Sequence, residues 1–255
     1  MRIAFCVSGV PRSDVIKGQP TFPNFKRCFA SWRRAFPDAD FFFATWKQHK
    51  QIVEDNFQDS NVCLFDEPEV NYHPFFDIPD DLMWSDRLLK IVPKYKTITD
   101  SRQDRYQHQT KQILCHAHLL ETLNLQERYD IIIRCRYDTL ISKTANFDSI
   151  IKEVYNQRFA CGFALLRDHN FSTIHQLGKK DLNAYRFLFD SLIIHSSKVF
   201  DPQYVFELHE NKRLLPCEFG WFQIMSMPYG ENHRCYSGWA NAERAIPQRY
   251  ISGAY

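Results

Sequence analysis

The chain opens with a short apolar run that is followed at once by turn-forming residues. Ile3–Val7 is entirely apolar, and a Ser-Gly-Val-Pro turn comes directly after it. An unbroken run of this length is typical of a strand that is covered on both faces of a sheet, since neither face meets water. The pattern predicts a buried strand over residues 2–8 that opens the sheet.

The next segment has helical periodicity. Aromatic residues recur at spacings of three and four from Phe22 to Phe36, which places them on one face of a helix. Thr21 is the candidate N-cap, because its hydroxyl can accept a hydrogen bond from the first turn, and Pro37 marks the end. We predict an amphipathic helix that packs on the sheet.

Further apolar runs predict additional strands. Asp40–Thr45 and Asn61–Phe65 follow the first helix, and a periodic helical segment over residues 104–124 leads to Tyr129–Arg136, which contains three consecutive isoleucines. The alternation of strands and helices predicts the α/β class, with a mostly parallel central sheet flanked by helices. We assign residues 1–255 to one such domain.

The remaining segments give weaker patterns. Residues 66–100 are rich in Pro and acidic residues and predict an irregular insertion over one edge of the sheet. Later helices are predicted at 146–155 and 201–208, and later strands at 158–165 and 191–194.

Composition and targeting signals favour a cytoplasmic protein. No stretch approaches the roughly 20 apolar residues that span a bilayer, and the first residues lack the pattern of a signal peptide. The eight cysteines include no Cys-x-x-Cys spacing, so we expect reduced thiols rather than disulfides or a zinc site. The sequence therefore predicts cytoplasmic localisation without a membrane span.

Charge is unevenly distributed along the chain. Residues 1–50 hold nine Lys/Arg and three acidic residues, whereas residues 51–90 hold ten acidic residues and two Lys/Arg. The first segment is either a surface that binds an anion or a solvated face.

Polar residues directly after buried strands are candidate ligand contacts, because ligands of open parallel sheets bind outside the carboxyl ends of the strands. Ser8, Gly9 and Arg12 follow the first strand. A glycine lets backbone amides approach a ligand, and an arginine can bind a phosphate or a nucleobase edge. The alternative is an ordinary turn with a surface arginine.

A second candidate follows the isoleucine-rich strand, where the sequence reads Arg134-Cys135-Arg136-Tyr137-Asp138. Alternation along a strand would send Arg134, Arg136 and Asp138 to the same side. A carboxylate at a strand end can hold a divalent cation on a nucleotide diphosphate, and arginines can stabilise departing phosphates. The alternative is that Asp138 only begins a turn.

Other common catalytic motifs are absent from the sequence. It contains eight glycines, but neither a Gly-x-Gly-x-x-Gly fingerprint nor a Walker-type Gly-Lys-Ser/Thr loop. It also lacks a Gly-x-Ser-x-Gly elbow and a His-Glu-x-x-His pair. Ordinary dinucleotide oxidoreductases, P-loop enzymes, esterases and zinc proteases are therefore disfavoured.

Several motifs in order resemble a family of small GT-A-type glycosyltransferases of tailed phages and bacterial polysaccharide clusters. These are Ser-Gly-Val-Pro-Arg12, Phe-Phe-Phe-Ala-Thr-Trp46, Tyr-Asp-Ile-Ile-Ile-Arg-Cys-Arg-Tyr-Asp138, Phe189-Asp190-Ser-Leu-Ile-Ile-His195 and Leu215-Pro-Cys-Glu218. Each motif is loose, and their order over most of the chain carries the resemblance. It implies a GT-A-like fold and a nucleotide-sugar donor, expected to be UDP-linked.

The resemblance also implies roles for individual residues. The implied donor-binding residues are Ser8, Gly9, Arg12, Arg134, Arg136 and Asp138. Asp190 and Glu218 would flank the sugar, and either would be the general base if the reaction inverts the anomeric carbon. Asp138 would hold Mn²⁺ or Mg²⁺. However, Arg136 takes the place of the first acid of the usual Asp-x-Asp motif. The alternative is therefore that the two arginines replace the cation.

Among phage proteins, the resemblance implies an acceptor in DNA. The favoured acceptor is 5-hydroxymethylcytosine, and the basic first 50 residues suit a phosphate backbone; a duplex would require the base to be flipped out. The alternatives are a glycosyltransferase that acts on a surface glycan, a non-catalytic nucleotide or nucleic-acid binding protein, and a nucleotidyltransferase.

Overall fold

A computed structural model describes the chain over residues 1–11, 14–16, 19–21, 25–57, 61–72, 103–141, 145–157, 160–165, 191–215, 217–226 and 235–244. Its strands are β1 (Ile3–Ser8), β2 (Asp14–Ile16), β3 (Gln19–Thr21), β4 (Asp40–Trp46), β5 (Asn61–Phe65), β6 (Ile131–Cys135), β7 (Thr139–Ile141), β8 (Ala160–Leu165), β9 (Leu192–Ser196) and β10 (Cys235–Arg244). Its helices are α1 (Phe25–Ala35), α2 (Lys50–Asn56), α3 (Gln103–Thr122), α4 (Leu125–Arg128), α5 (Asp148–Gln157), α6 (Pro202–Glu210) and α7 (Cys217–Ser226), with short 3₁₀ turns at Lys47–His49 and Ser197–Val199.

Eight strands form the main sheet, in the order β5-β4-β1-β6-β9-β8-β10-β7. Neighbours from β5 to β6 are parallel. β9 is antiparallel to β6 and β8, whereas β10 is parallel to β8 and antiparallel to β7. The predicted α/β class, a Rossmann-like domain with a mostly parallel sheet and flanking helices, is confirmed.

Alternate residues of β1 supply two different cores. Ala4 and Cys6 join the cluster beneath α3, α6 and α7, while Phe5 and Val7 join the aromatic cluster beneath α1 and α5. The unbroken apolar run at the start of the chain is thus explained by burial on both faces. The helices predicted at 104–124, 146–155 and 201–208 and the strands predicted at 158–165 and 191–194 are confirmed with small shifts of their ends.

The predicted N-cap at Thr21 is wrong. Thr21 pairs with Asp14 in the β2–β3 hairpin, and α1 begins at Phe25. Pro23 in the sequence works against a helix start at Phe22, because a proline disfavours helical backbone at the residue before it. Of the predicted irregular insertion, residues 66–72 are described and contain no helix or strand, and the rest lies outside the described residues.

The structure describes five cysteines as free thiols, namely Cys6, Cys28, Cys63, Cys115 and Cys135. Burial raises the pKa of the Cys115 and Cys135 thiols to about 12, so both stay protonated at neutral pH. None of the described helices has the length and apolarity that a membrane span requires.

Candidate functional site

The order of the strands places a crevice between β1 and β6. From β1 the sheet continues through β4 to β5 on one side, whereas β6 lies on the other side of β1. Ligands of open α/β sheets bind where the strand order changes direction, outside the carboxyl ends of the strands. We call the space at the carboxyl ends of these two strands the β1–β6 crevice, and both sequence-predicted motifs border it.

Gly9 has the backbone conformation that a glycine permits best. Its φ is 114°, and a Cβ at this position would lie 3.0 Å from Cγ of Gln112 on α3. Its N–H donates to the carbonyl of Ala44 at 3.2 Å. The loop after β1 therefore approaches α3 closely, and this approach excludes larger residues.

Ser8 is buried and faces the same helix. Its hydroxyl shares a hydrogen bond of 3.3 Å with Nδ1 of His116, whose pKa is held well below its usual value by burial, with smaller contributions from His195 and Arg134. His116 is thus neutral at physiological pH. Among the described residues, Nε2 of His116 has no hydrogen-bond partner.

The turn after β6 is tied to the loop after β1 through one carbonyl. The Tyr137 hydroxyl donates to the carbonyl of Ala44 at 3.0 Å, which is the same oxygen that accepts from Gly9. The turn itself is closed by the Thr139 N–H, which donates to the Arg136 carbonyl at 3.3 Å. The two candidate motifs are therefore held next to each other by the end of β4.

Arg136 and Asp138 form a two-pronged ion pair within this turn. Nε of Arg136 donates to Oδ1 of Asp138 at 2.9 Å, and Nη2 donates to Oδ2 at 2.7 Å. The Asp138 side chain is 5% exposed and that of Arg136 is 19% exposed. The cationic member of the pair is thus the more accessible one.

This geometry bears on the predicted divalent cation. A cation at Asp138 needs carboxylate oxygens directed towards it, but both oxygens accept hydrogen bonds from Arg136. Across the described ranges, no group of three or more His, Cys, Asp or Glu side chains is arranged to hold a metal ion. The described residues do not fit a resident cation unless Arg136 moves, and Mn²⁺ or Mg²⁺ stays a prediction.

Arg134 occupies a different environment from the one that strand alternation predicts. The strand ends at Cys135 and the chain then turns, so the alternation does not extend to Asp138. Arg134 is fully buried, donates to Oε1 of Gln112 at 3.0 Å, and its guanidinium lies 4.8 Å from the Trp221 ring centroid. Arg134 therefore links β6 to both α3 and α7.

The sequence analysis assigned no function to Gln112 or His116. Both lie on the α3 face that covers the crevice, four residues apart, which puts them on one side of a helix. The sequence signal that could have identified them is a pair of polar residues on a helix face that is otherwise apolar. Its meaning depends on contacts with Gly9 and Ser8, more than 100 residues earlier in the chain.

The other predicted site residues are only partly described. Glu218 lies in the first turn of α7, three residues before Trp221, whose ring contacts the Arg134 guanidinium. Arg12 and Asp190 lie outside the described residues. Ser191, which follows Asp190, is described, and its carbonyl accepts from the Arg136 N–H at 3.3 Å and from the Thr139 hydroxyl at 3.1 Å.

Neither a protein-family model nor a curated protein sequence matches this chain. One similar solved structure is 4-diphosphocytidyl-2C-methyl-D-erythritol synthase from Anaerococcus prevotii (TM-score 0.40, 8% identity, covering 97% of this chain and 93% of that chain). Galactosyltransferase LgtC with donor and acceptor sugar analogues is a second (TM-score 0.36, 12% identity, covering 88% of this chain and 70% of that chain). Mouse xyloside xylosyltransferase 1 is a third (TM-score 0.38, 9% identity, covering 95% of this chain and 96% of that chain). At such low TM-scores these similarities assign no activity, and the site rests on the strand order and the contacts above.

Proposed function

We propose that this protein transfers a sugar from a nucleotide-sugar to a hydroxyl group of an acceptor. The observation that carries the proposal is the pairing of two motifs at the β1–β6 crevice: a glycine loop with φ of 114° after β1 and a partly exposed arginine after β6. A glycine loop admits a nucleotide close to backbone amides, and a guanidinium binds phosphate oxygens. The motif order in the sequence, which resembles GT-A-type glycosyltransferases, gives the reaction class.

The proposed roles follow the geometry of the crevice. Ser8 and Gly9 line the nucleotide side, with Arg12 following in sequence, and Arg136 lies on the phosphate side. Arg134 is a positioning residue, because it is fully buried between α3 and the sheet. Asp190 and Glu218 are the proposed sugar-flanking acids, one of which removes the proton from the acceptor hydroxyl.

The proposed donor is a UDP-sugar, and the proposed acceptor is 5-hydroxymethylcytosine in phage DNA. The exposed face of α1 supports an anionic acceptor, because Lys26, Arg27, Arg33 and Arg34 lie on it while Phe25 and Trp32 face the core. Such a face attracts a phosphate backbone in a salt-dependent way. A surface glycan is the competing acceptor, and the assay below separates the two.

The first test is release of free nucleoside diphosphate from a panel of UDP- and GDP-sugars. Each donor is incubated with hydroxymethylcytosine DNA, unmodified DNA or no acceptor, with Mn²⁺ and with EDTA. We expect release to require an acceptor, and we expect Asp190→Asn or Glu218→Gln to abolish it while donor binding persists. Arg128→Lys is the control, because Arg128 is exposed and ends α4 directly before β6, at the amino end of that strand and away from the crevice.

Each outcome has a distinct meaning. Release that needs modified DNA supports the DNA acceptor, and release that is indifferent to DNA directs the search to glycans. Pyrophosphate release from a nucleoside triphosphate and a sugar phosphate would instead indicate a nucleotidyltransferase. Nucleotide binding without turnover of any donor would contradict transfer to DNA, and a panel of glycan acceptors would then separate a glycan transferase from a binding protein.

A further inference from the structure

We propose that Arg136, oriented by Asp138, is the subsite for the donor diphosphate, and that it binds this anion without a resident divalent cation. The inference rests on the proposed function, since it specifies how the same crevice would hold the donor. It concerns the turn after β6, where an arginine takes the first position and an aspartate the third.

The ion pair fixes the orientation of the guanidinium. Arg136 donates through Nε and Nη2 to the two oxygens of Asp138 at 2.9 and 2.7 Å. Two parallel hydrogen bonds to a carboxylate hold the planar guanidinium in one plane, so little orientational freedom is left to lose when a ligand binds. Asp138 is a positioning residue in this arrangement.

The backbone of the turn is equally constrained. The Arg136 N–H donates to the carbonyl of Ser191 and the Arg136 carbonyl accepts from Thr139, both at 3.3 Å. Tyr137, between the paired residues, is buried and bonded to the end of β4. The guanidinium therefore projects from a turn that is anchored to β4 and to the residue before β9.

The exposures decide which charge a ligand meets. The Asp138 side chain is 5% exposed and the Arg136 side chain is 19% exposed, so a molecule entering the crevice meets positive charge before negative charge. An arginine is well matched to a diphosphate, because its fork of N–H donors fits phosphate oxygens. A cation would first have to displace Arg136 from both carboxylate oxygens and leave a charged guanidinium near the metal.

The test measures anion binding by the full-length protein directly, by isothermal titration calorimetry with UDP, GDP and inorganic pyrophosphate. Each titration is run in EDTA and again with Mn²⁺. We expect the dissociation constant for UDP to agree within about twofold between the two conditions, a difference well below 1 kcal/mol. Pyrophosphate is included because it reports on the diphosphate subsite independently of the nucleobase.

Two variants separate the subsite from the fold. Arg136→Lys keeps the charge but loses the two-pronged pair, and we expect it to weaken UDP and pyrophosphate binding by about tenfold or more. Asp138→Asn keeps the shape but not the charge of the anchor, and we expect a smaller loss. Arg128→Lys is the matched control at the amino end of β6, and near-UV circular dichroism checks that each variant is folded.

UDP binding that disappears in EDTA and returns with Mn²⁺ would overturn the cation-free subsite while leaving the proposed function standing. Unchanged binding in folded Arg136→Lys would also overturn it. Pyrophosphate binding that depends on Arg136, without binding of UDP or GDP, would retain the anion subsite and contradict the proposed function. Failure of all three probes to bind would contradict both.

Discussion

At the residue scale, Gly9 combines two constraints that no other residue type meets. Its φ of 114° lies in a region that side-chain-bearing residues rarely adopt, and a Cβ would approach Gln112 Cγ to 3.0 Å. We expect Gly9→Ala to lower the free energy of unfolding by about 1–3 kcal/mol and to weaken UDP binding, because the loop must shift. Urea unfolding and UDP titration measure the two effects, and wild-type values in both would contradict the close-approach argument.

The burial of Arg134 could not be predicted from the sequence. Its place in the isoleucine-rich strand was predicted correctly, yet its burial was not, because burial depends on Gln112 and Trp221 from two distant helices. Arg136, two residues later, shares the same sequence motif but belongs to a turn. Neighbouring positions in one motif thus have unlike environments once the strand has ended.

At the element scale, the predictions that succeeded rest on unbroken apolar runs or long periodic segments. β1, β4, β6 and α3 are of this kind, since each buries enough apolar surface to be recognised locally. β7 was missed, because it has three residues and pairs with β10, about a hundred residues later in the chain. Three residues are too few for an apolar run or an alternating pattern to be recognised in the sequence.

Tyr137 links elements, and its removal tests whether that link positions the candidate site. Tyr137→Phe removes the hydrogen bond to the Ala44 carbonyl but keeps the ring beside Phe57, at a centroid distance of 5.8 Å. We expect a loss of about 1 kcal/mol in the free energy of unfolding and weaker UDP binding, because the turn that carries Arg136 loses one anchor. Urea unfolding and calorimetry measure both effects.

A loss of stability in Tyr137→Phe with unchanged UDP affinity would mean that the turn is held by its remaining contacts. Those contacts are the Ser191 carbonyl and the Thr139 N–H. The comparison therefore separates a structural hydrogen bond from one that positions Arg136.

At the scale of the whole molecule, two helical layers meet the sheet, and the layer of α3, α6 and α7 covers buried polar groups. His116 and His195 face each other there, with ring centroids 6.0 Å apart. Nδ1–H of His195 donates to the Ser196 carbonyl at 2.9 Å, and within the described part of the chain its Nε2 has no hydrogen-bond partner. Both rings are accommodated in the neutral form, which makes global stability depend on pH.

Burial lowers the pKa of His195 from 6.5 to about 4, so the unfolded chain binds this proton more readily than the folded one. The stabilisation from a neutral His195 is complete above pH 6.5 and is lost as the pH falls towards 4, a difference of roughly 3 kcal/mol in the free energy of unfolding between pH 7 and pH 4. We expect His195→Asn, which cannot titrate, to lose correspondingly less stability over this range in urea unfolding. A residual slope should remain in the variant, because burial also depresses the pKa of His116. If wild type and variant lose stability equally between pH 7 and pH 4, His195 has the same pKa in the folded and the unfolded chain, and its burial beneath α3 does not disfavour protonation.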